Sequence, residues 1–246
     1  MKNLLEGKRV LVAGGSRGIG KAIVIELAKQ GAHVLFTYRS NEKEAKVTET
    51  EAKEFSPYIL GMQADITKRK DMNKVFDYVP ENFGGKLDIY IGVAFSQSIF
   101  MPTAIMTEEG YDSMFAAVKG HFFSLQKAAQ SLSNGGKIIV FSSGAAAMPT
   151  PASGAYGGAK SAIEKFALSL SKETGDQQIT VNVVSPGVTQ TDGLVAPQEM
   201  IDMLVQQTPL NRLGTTQDVA KATVNLVTPQ MDWINGQVIQ INGGIL

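Results

Sequence analysis

The chain has no cysteine among its 246 residues. Disulfides, thiol nucleophiles and thiolate-held zinc are excluded together, and the composition fits a reducing cytoplasm. Histidine is nearly as scarce, with His33 and His121 alone. A metal centre would have to rest on carboxylates, and the sequence clusters none, so no metal is expected. Excess charge is missing too, with 23 lysines and arginines against 23 aspartates and glutamates. A neutral chain offers no basic face to nucleic acid. No stretch approaches the roughly 18 uncharged apolar residues of a membrane span, and no apolar run before the first strand reads as a signal peptide.

What is present is material for a core, at 43% hydrophobic residues, arranged in alternating patterns. Short apolar runs rich in β-branched residues predict strands at Lys8–Ala13, His33–Tyr38, Tyr58–Met62, Leu87–Ala94, Lys137–Ser142, Ile179–Val184 and Gln237–Ile241. Helical periodicity predicts helices at Ile19–Gln30, Asn41–Glu54, Lys68–Val79, Thr107–Ser131, Ala155–Glu173 and Gln217–Val227. Pro80 is expected to end the third strand's helix, and Thr107 to cap the long one. Strands alternating with helices imply a single α/β domain over 1–246, a doubly wound, seven-stranded parallel sheet of Rossmann type with helices on both faces. Residues 190–212 form the one long connection, a length that suits a functional loop over a site.

The stretch LVAGGSRGIG at 11–20 admits two readings. Gly14-Gly15-Ser16-Arg17-Gly18 has the G-x-S-x-G spacing of a hydrolase nucleophile elbow, which needs an acid and then a histidine later in the chain. Only His33 and His121 follow, neither placed to complete such a triad. The other reading is a phosphate cradle between the first strand and the first helix. Gly14, Gly18 and Gly20 let the backbone approach a pyrophosphate, and the helix N-terminus supplies free N–H groups and partial positive charge.

Taken with Tyr156-Gly-Gly-Ala-Lys160, the glycine turn makes the chain resemble the short-chain dehydrogenase/reductase family over essentially its whole length. The motifs stand in the family's order: Gly14-x-x-x-Gly18-Ile19-Gly20, Asp65 in QADIT, Ser143, Tyr156-x-x-x-Lys160, Asn182 through Pro186-Gly187 to Thr191, and the terminal GQVIQINGG. The segments PLNRLG and INGG look most like 3-oxoacyl-carrier-protein reductases and related ketoreductases. The resemblance implies an oxidoreductase moving hydride between a dinucleotide and a ketone or secondary alcohol. Tyr156 would be the acid–base, Lys160 its activator and Ser143 the residue that polarises the substrate oxygen. The chemistry suits these residue types. A phenol titrates near 10, and an ammonium one helical turn away favours its anion. A serine hydroxyl can hydrogen-bond an oxygen as charge develops on it. Neighbouring Ser142 would point to the opposite face of the strand.

For the cofactor, the resemblance marks Gly14, Ser16, Arg17, Gly18, Ile19 and Gly20 on the phosphate side. It adds Tyr38, Arg39, Ser40, Asp65 and Ile66 toward the adenosine. Ala94, Tyr156, Lys160, Pro186, Gly187, Val188 and Thr191 follow near the nicotinamide, with Asn182 in a structural part nearby. Tyr38 stands where an NAD-binding carboxylate would be, and Arg39 follows it. A guanidinium suits a 2′-phosphate, and Arg17 could close on the same group, so NADP(H) is expected. Leu194, Val195, Met200, Ile201, Met203 and Leu204 could cover a hydrophobic substrate or form a core-packed helix stripe. The family's usual assembly implies a homotetramer or homodimer, and its substrates a small carbonyl or alcohol, an acyl-thioester among them.

The chain departs from the family's pattern at two places. Gly92-Val93-Ala94-Phe95 replaces the usual N-N-A-G, and Ala117 replaces an asparagine that holds a relay water. Ser113 and His121, each four residues from Ala117, share its helical face and are candidates for that part. These departures keep a second reading open, a nucleotide-binding or sensing protein with little or no turnover. Ala94-Phe95-Ser96 is similar to the enoyl reductases of the same superfamily. Those place tyrosine seven residues before lysine, where this chain has Ser153.

Overall fold

Strand and helix alternate along the whole of the computed structural model, which describes residues 3–95, 97–191, 193–194 and 196–245. β1 (Arg9–Ala13) leads through a glycine turn into α1 (Gly18–Lys29), followed by β2 (His33–Tyr38) and α2 (Glu42–Lys53). Next come β3 (Ile59–Gln63), α3 (Arg69–Asn82), β4 (Leu87–Gly92), α4 (Glu108–Ser131) and β5 (Leu132–Phe141). The short α5 (Gly144–Ala147), α6 (Gly154–Glu173) and β6 (Thr180–Pro186) follow. The chain then passes through β7 (Thr189–Gln190), α7 (Gln198–Gln207), β8 (Gly214–Thr215), α8 (Thr216–Leu226) and β9 (Val238–Ile241).

The main sheet has seven strands in the order β3-β2-β1-β4-β5-β6-β9, and every pairing in it is parallel. This is the doubly wound sheet expected from the strand–helix alternation. Alternation along each strand divides the core in two. Leu11, Ala13, Ile138 and Val140 face α3, α4 and α6, while Val10, Val12, Ile139 and Phe141 face α1, α2 and α8. The chain winds from β1 outward to β3, then returns to place β4 on β1's other side. A crevice therefore opens where the loops after β1 and β4 diverge, the place where open parallel sheets take their ligands. No helix among the described residues is long and apolar enough to cross a membrane.

Several boundaries follow from identifiable residues. Thr107 caps α4, its side chain accepting from Gly110 N at 3.1 Å, and Glu108 and Glu109 complement the dipole in the first turn. α8 opens with a capping box between Thr215 and Asp218. Pro80 does not stop α3, which continues to Asn82. In the last turn a proline forfeits a single backbone hydrogen bond, and Phe83 N still reaches the Val79 carbonyl at 2.8 Å. β5 starts five residues earlier than Lys137, because Leu132 pairs with Leu87 before the register shifts.

The connection 190–212 holds a helix, α7. No residue of α7 is buried, and Met200 and Met203 are about half exposed. The stripe Met200, Ile201, Met203, Leu204 therefore does not pack into the core. Val195 lies outside the described residues. Asn182 has a structural part. Its amide donates to the Ile234 carbonyl at 2.7 Å and accepts from Gln237 N at 3.0 Å. These bonds fix the segment that enters β9, away from the end of β6 that carries Pro186.

Candidate active site

The glycine turn after β1 is shaped by contacts that exclude side chains. Gly14 has φ +91° and its missing Cβ would stand 2.8 Å from the Ala94 backbone. A Cβ at Gly20 would overlap the Gly14 carbonyl, so α1 sits directly on the turn. Thr37 at the end of β2 braces it, accepting from Gly14 N through its hydroxyl at 3.1 Å and from Gly15 N through its carbonyl at 2.9 Å. Sequence reasoning passed over Thr37, although a hydroxyl at the end of an otherwise apolar strand was the available signal.

A groove of about 640 Å³ runs over this turn. Gly14, Ser16, Arg17, Gly18, Ile19 and Gly20 line it at the turn. Tyr38, Arg39 and Ser40 line it beyond β2, and Asp65 and Ile66 beyond β3. Ala94 and Thr191 line its other end, joined by Phe95, Ser98 and Gly193, which the sequence had not marked for this role. Arg17 and Arg39 are exposed, and neither takes part in an ion pair among the described residues. Asp65 accepts from Thr67 N at 3.0 Å and Thr67 Oγ1 at 2.9 Å through one oxygen. Thr191 closes over Gly18, its methyl 3.7 Å from where a Cβ would be. A glycine cradle at a helix N-terminus with two unpaired guanidinium groups on its rim fits a phosphorylated dinucleotide.

Pro186, Gly187 and Val188 are placed differently. Pro186 closes β6, and Gly187 abuts Asn242, its missing Cβ 2.7 Å from the Asn242 Cα. Gly187 and Val188 line a separate cavity with Thr208, Arg212 and Asp218.

Ser143 follows β5 and caps α5, its hydroxyl oxygen accepting from Ala145 N at 3.3 Å. Among the described residues its hydroxyl hydrogen has no acceptor. Ser142 is committed elsewhere, donating to Glu164 Oε1 at 2.5 Å. α6 presses on α5 at Gly157, where a Cβ would come 2.5 Å from the Ala145 carbonyl. That contact packs the first turns of α6, which carry Tyr156, against the turn that follows Ser143.

Lys160 is 4% exposed, and its Nζ donates to the Phe141 carbonyl at 3.1 Å. The ammonium lies 5.9 Å from the centroid of the Tyr156 ring and 4.2 Å from that of Phe95. Burial pushes its pKa down to about 7, and Glu164 one turn on pulls it back up in part. Two phenylalanines frame Tyr156: Phe95 meets it edge to face at 5.8 Å and 81°, and Phe100 lies at 5.0 Å and 51°. Phe100 is 60% exposed.

His121 is fully buried beneath this set. Its Nε2 lies 2.6 Å from the Ala94 carbonyl, which can only accept, so Nε2 carries the hydrogen. Burial and the Lys160 charge push its pKa down to about 4, so the ring is neutral and Nδ1 bears a lone pair. Gly92 leaves the space the ring needs, since a Cβ there would stand 3.3 Å from Nδ1 and 3.1 Å from the Tyr90 hydroxyl. Nδ1, Tyr90 Oη and Ser124 Oγ have no hydrogen-bond partner among the described residues. Burial raises the Tyr90 phenol well above its usual range, and the nearby Ser124 hydroxyl offsets part of this without reaching hydrogen-bond geometry. Ala117 is buried and Ser113 is partly buried on the same helix. The loss of an amide at 92 is thus matched by a histidine ring over the same strand.

A family model described as enoyl-(acyl carrier protein) reductase matches residues 13–246. A hydroxynaphthalene reductase-like protein, Arp2 of Metarhizium majus, is 38% identical over 256 aligned positions, covering 98% of this chain and 95% of its own. A short chain dehydrogenase from Burkholderia cenocepacia, solved in complex with NADP, superposes with a TM-score of 0.91 at 32% identity, covering 98% of both chains. The promiscuous reductase LugOII, which catalyses keto-reduction at C1 during lugdunomycin biosynthesis, superposes at 0.92 with 32% identity. That match covers 98% of this chain and 99% of LugOII.

Proposed function

This chain belongs to the short-chain dehydrogenase/reductase family, and from that premise we propose that it is an NADP(H)-dependent reductase of aromatic ketones. The observation that carries the reading is Tyr156 one helical turn before a buried ammonium, on a helix packed against the turn that follows Ser143, with its ring against Phe95, which lines the glycine groove. The cradle at Gly14–Gly20 would hold the pyrophosphate, and Lys160 the nicotinamide ribose. Arg17 and Arg39 suit a 2′-phosphate, and Tyr38 offers no carboxylate to a ribose hydroxyl. When bound, the reduced nicotinamide supplies hydride to the carbonyl carbon.

The protein's own groups handle the oxygen. Ser143 donates its free hydroxyl hydrogen to the carbonyl as negative charge builds there. Tyr156 gives up its phenolic proton to that oxygen, and the Lys160 ammonium over the ring stabilises the charge the phenol is left with. The exposed face of Phe100 beside Tyr156 offers a flat apolar surface to a planar substrate. A substrate of that kind is consistent with the hydroxynaphthalene named in the relative. It suits this site better than a linear acyl-thioester.

Double-bond reduction is the weaker reading. Ser153, seven residues before Lys160, is 2% exposed and spends its hydroxyl on the Thr150 carbonyl at 2.7 Å. Assembly as a homotetramer or homodimer belongs to the same proposal, supported by Trp233, 99% exposed just before the edge strand β9. NADPH oxidation with bicyclic aromatic ketones, aliphatic ketones and acyl-thioesters tests the function. The expected result is turnover that Tyr156→Phe lowers by about 10²-fold or more while NADPH still binds. NADPH binding without turnover on any ketone would favour the sensing reading instead.

A further inference from the structure

Phe95 stands where the family's pattern has a glycine, and the space it fills is next to the reacting pair. The backbone before it is fixed from both sides. Val93 N and Ala94 N both donate to the Ala13 carbonyl, at 2.9 and 2.8 Å, and His121 donates to the Ala94 carbonyl. The ring is thus delivered from a clamped main chain. Its face lies under Lys160 Nζ at 4.2 Å, and it meets Tyr156 edge to face. The ammonium has three hydrogens and, among the described residues, a single hydrogen-bond acceptor, the Phe141 carbonyl. An aromatic face carries negative quadrupole and attracts a desolvated cation.

The geometry points to Phe95 as a positioning residue that seats the Lys160 ammonium on its ring face and holds the Tyr156 ring at a fixed angle to it. It takes up the work for which this chain lacks an amide at 92 and at 117. His121 acts one step further back by holding the Ala94 carbonyl. The inference rests on the proposed reaction for its kinetic consequences but not for the seating itself. The groups facing the ammonium are few. From α6 there are Tyr156 and Glu164, the latter accepting from Ser142. From α4 there is neutral His121, itself next to Tyr90 of β4. Burial already holds the lysine near neutrality, so loss of the ring face would make it shed its proton at still lower pH.

Phe95→Leu keeps apolar bulk and removes the face, whereas Phe95→Tyr keeps both. In ¹³C-labelled-lysine NMR of the dinucleotide-free protein, with Lys160→Arg to assign the signal, the Lys160 titration should fall by about 0.5–1 pH unit in Phe95→Leu. It should return to the wild-type position in Phe95→Tyr. In the ketone assay, the alkaline limb of kcat should move to lower pH by the same amount. kcat should drop several-fold with KM for the ketone little changed, and Phe95→Tyr should restore both. An unmoved lysine titration in Phe95→Leu overturns the inference, as does a Phe95→Tyr variant that behaves like Phe95→Leu. If the wild type reduces no ketone while the titration shifts as expected, the reaction reading fails and the seating stands.

Discussion

At the scale of single residues, the chemistry of the site is set by what burial does to Lys160. A lysine held near 7 when folded and near 10.5 when unfolded carries fewer protons folded than unfolded across that interval. Stability from this group therefore rises with pH between about 7 and 10.5, and the cost of burying the ammonium is fully present below 7. Lys160→Met removes that cost. The variant should melt several degrees above the wild type at pH 6–7, with the gap closing toward pH 10 in dinucleotide-free thermal scans. A gap independent of pH would assign the difference to packing. Arg39 provides a second test at this scale. Arg39→Asp should lose about tenfold or more in affinity for NADPH and improve with NADH, read from KM with both cofactors. An unchanged preference would remove Arg39 from the 2′-phosphate site. Tyr156, Lys160 and Ser143 could be proposed from the sequence because several individually weak motifs stand together in the family's order, and Tyr156 and Lys160 lie one helical turn apart. The Phe141 carbonyl under Lys160 could not, since a backbone acceptor leaves no mark on residue identity. Thr37 and Glu164 were legible in principle, one as a misplaced hydroxyl and the other through its four-residue spacing from the lysine.

At the scale of elements, the site depends on how closely α6 can approach the turn after β5. Gly157 allows that approach, and neighbouring Gly158 faces open space with nothing within 4 Å of its missing Cβ. The pair makes an internally controlled experiment. Gly157→Ala forces a methyl against a backbone carbonyl, which overpacking experience puts at about 1–3 kcal/mol. That corresponds to a melting temperature lower by about 2–12 °C, and it pushes Tyr156 away from Ser143, so kcat should fall tenfold or more. Gly158→Ala should leave activity intact and raise helix stability slightly, by about 0.5–1 kcal/mol. Equal effects of the two substitutions would show that α6 is merely helix-propensity limited. The sequence made β1, β2 and α4 plain because their apolar periodicity is long and bounded by glycine or a capping residue. It misplaced the end of α3 because a proline in a last turn costs too little to stop a helix. It left α7 undecided because a periodic apolar stripe looks the same whether it covers a core or an open face.

For the molecule as a whole, the sheet order decides where a ligand acts. The groove spans the loops after β1 and β4, neighbours in space that belong to the two halves of the winding. A dinucleotide lying there would touch residues from Gly14 to Thr191, contacting β1, β2, β3 and β4 at their carboxyl ends together with the segment after β6. Unfolding of either half would then release it, so binding energy should appear in full as stability of the entire chain. A ligand at about 100 times its Kd adds about 2.7 kcal/mol, which for a chain of this size is a rise of about 5–11 °C in melting temperature. NADPH should give this shift in a single cooperative transition. NADH at the same concentration should give clearly less if Arg17 and Arg39 read the 2′-phosphate that only NADPH carries. The Arg39→Asp variant should reverse the order of the two cofactors without changing the melting temperature of the ligand-free protein. Equal shifts from NADPH and NADH would mean that the two exposed guanidinium groups do not read the 2′-phosphate. Two separate transitions, of which one responds, would mean that the halves of the sheet do not share the ligand's energy.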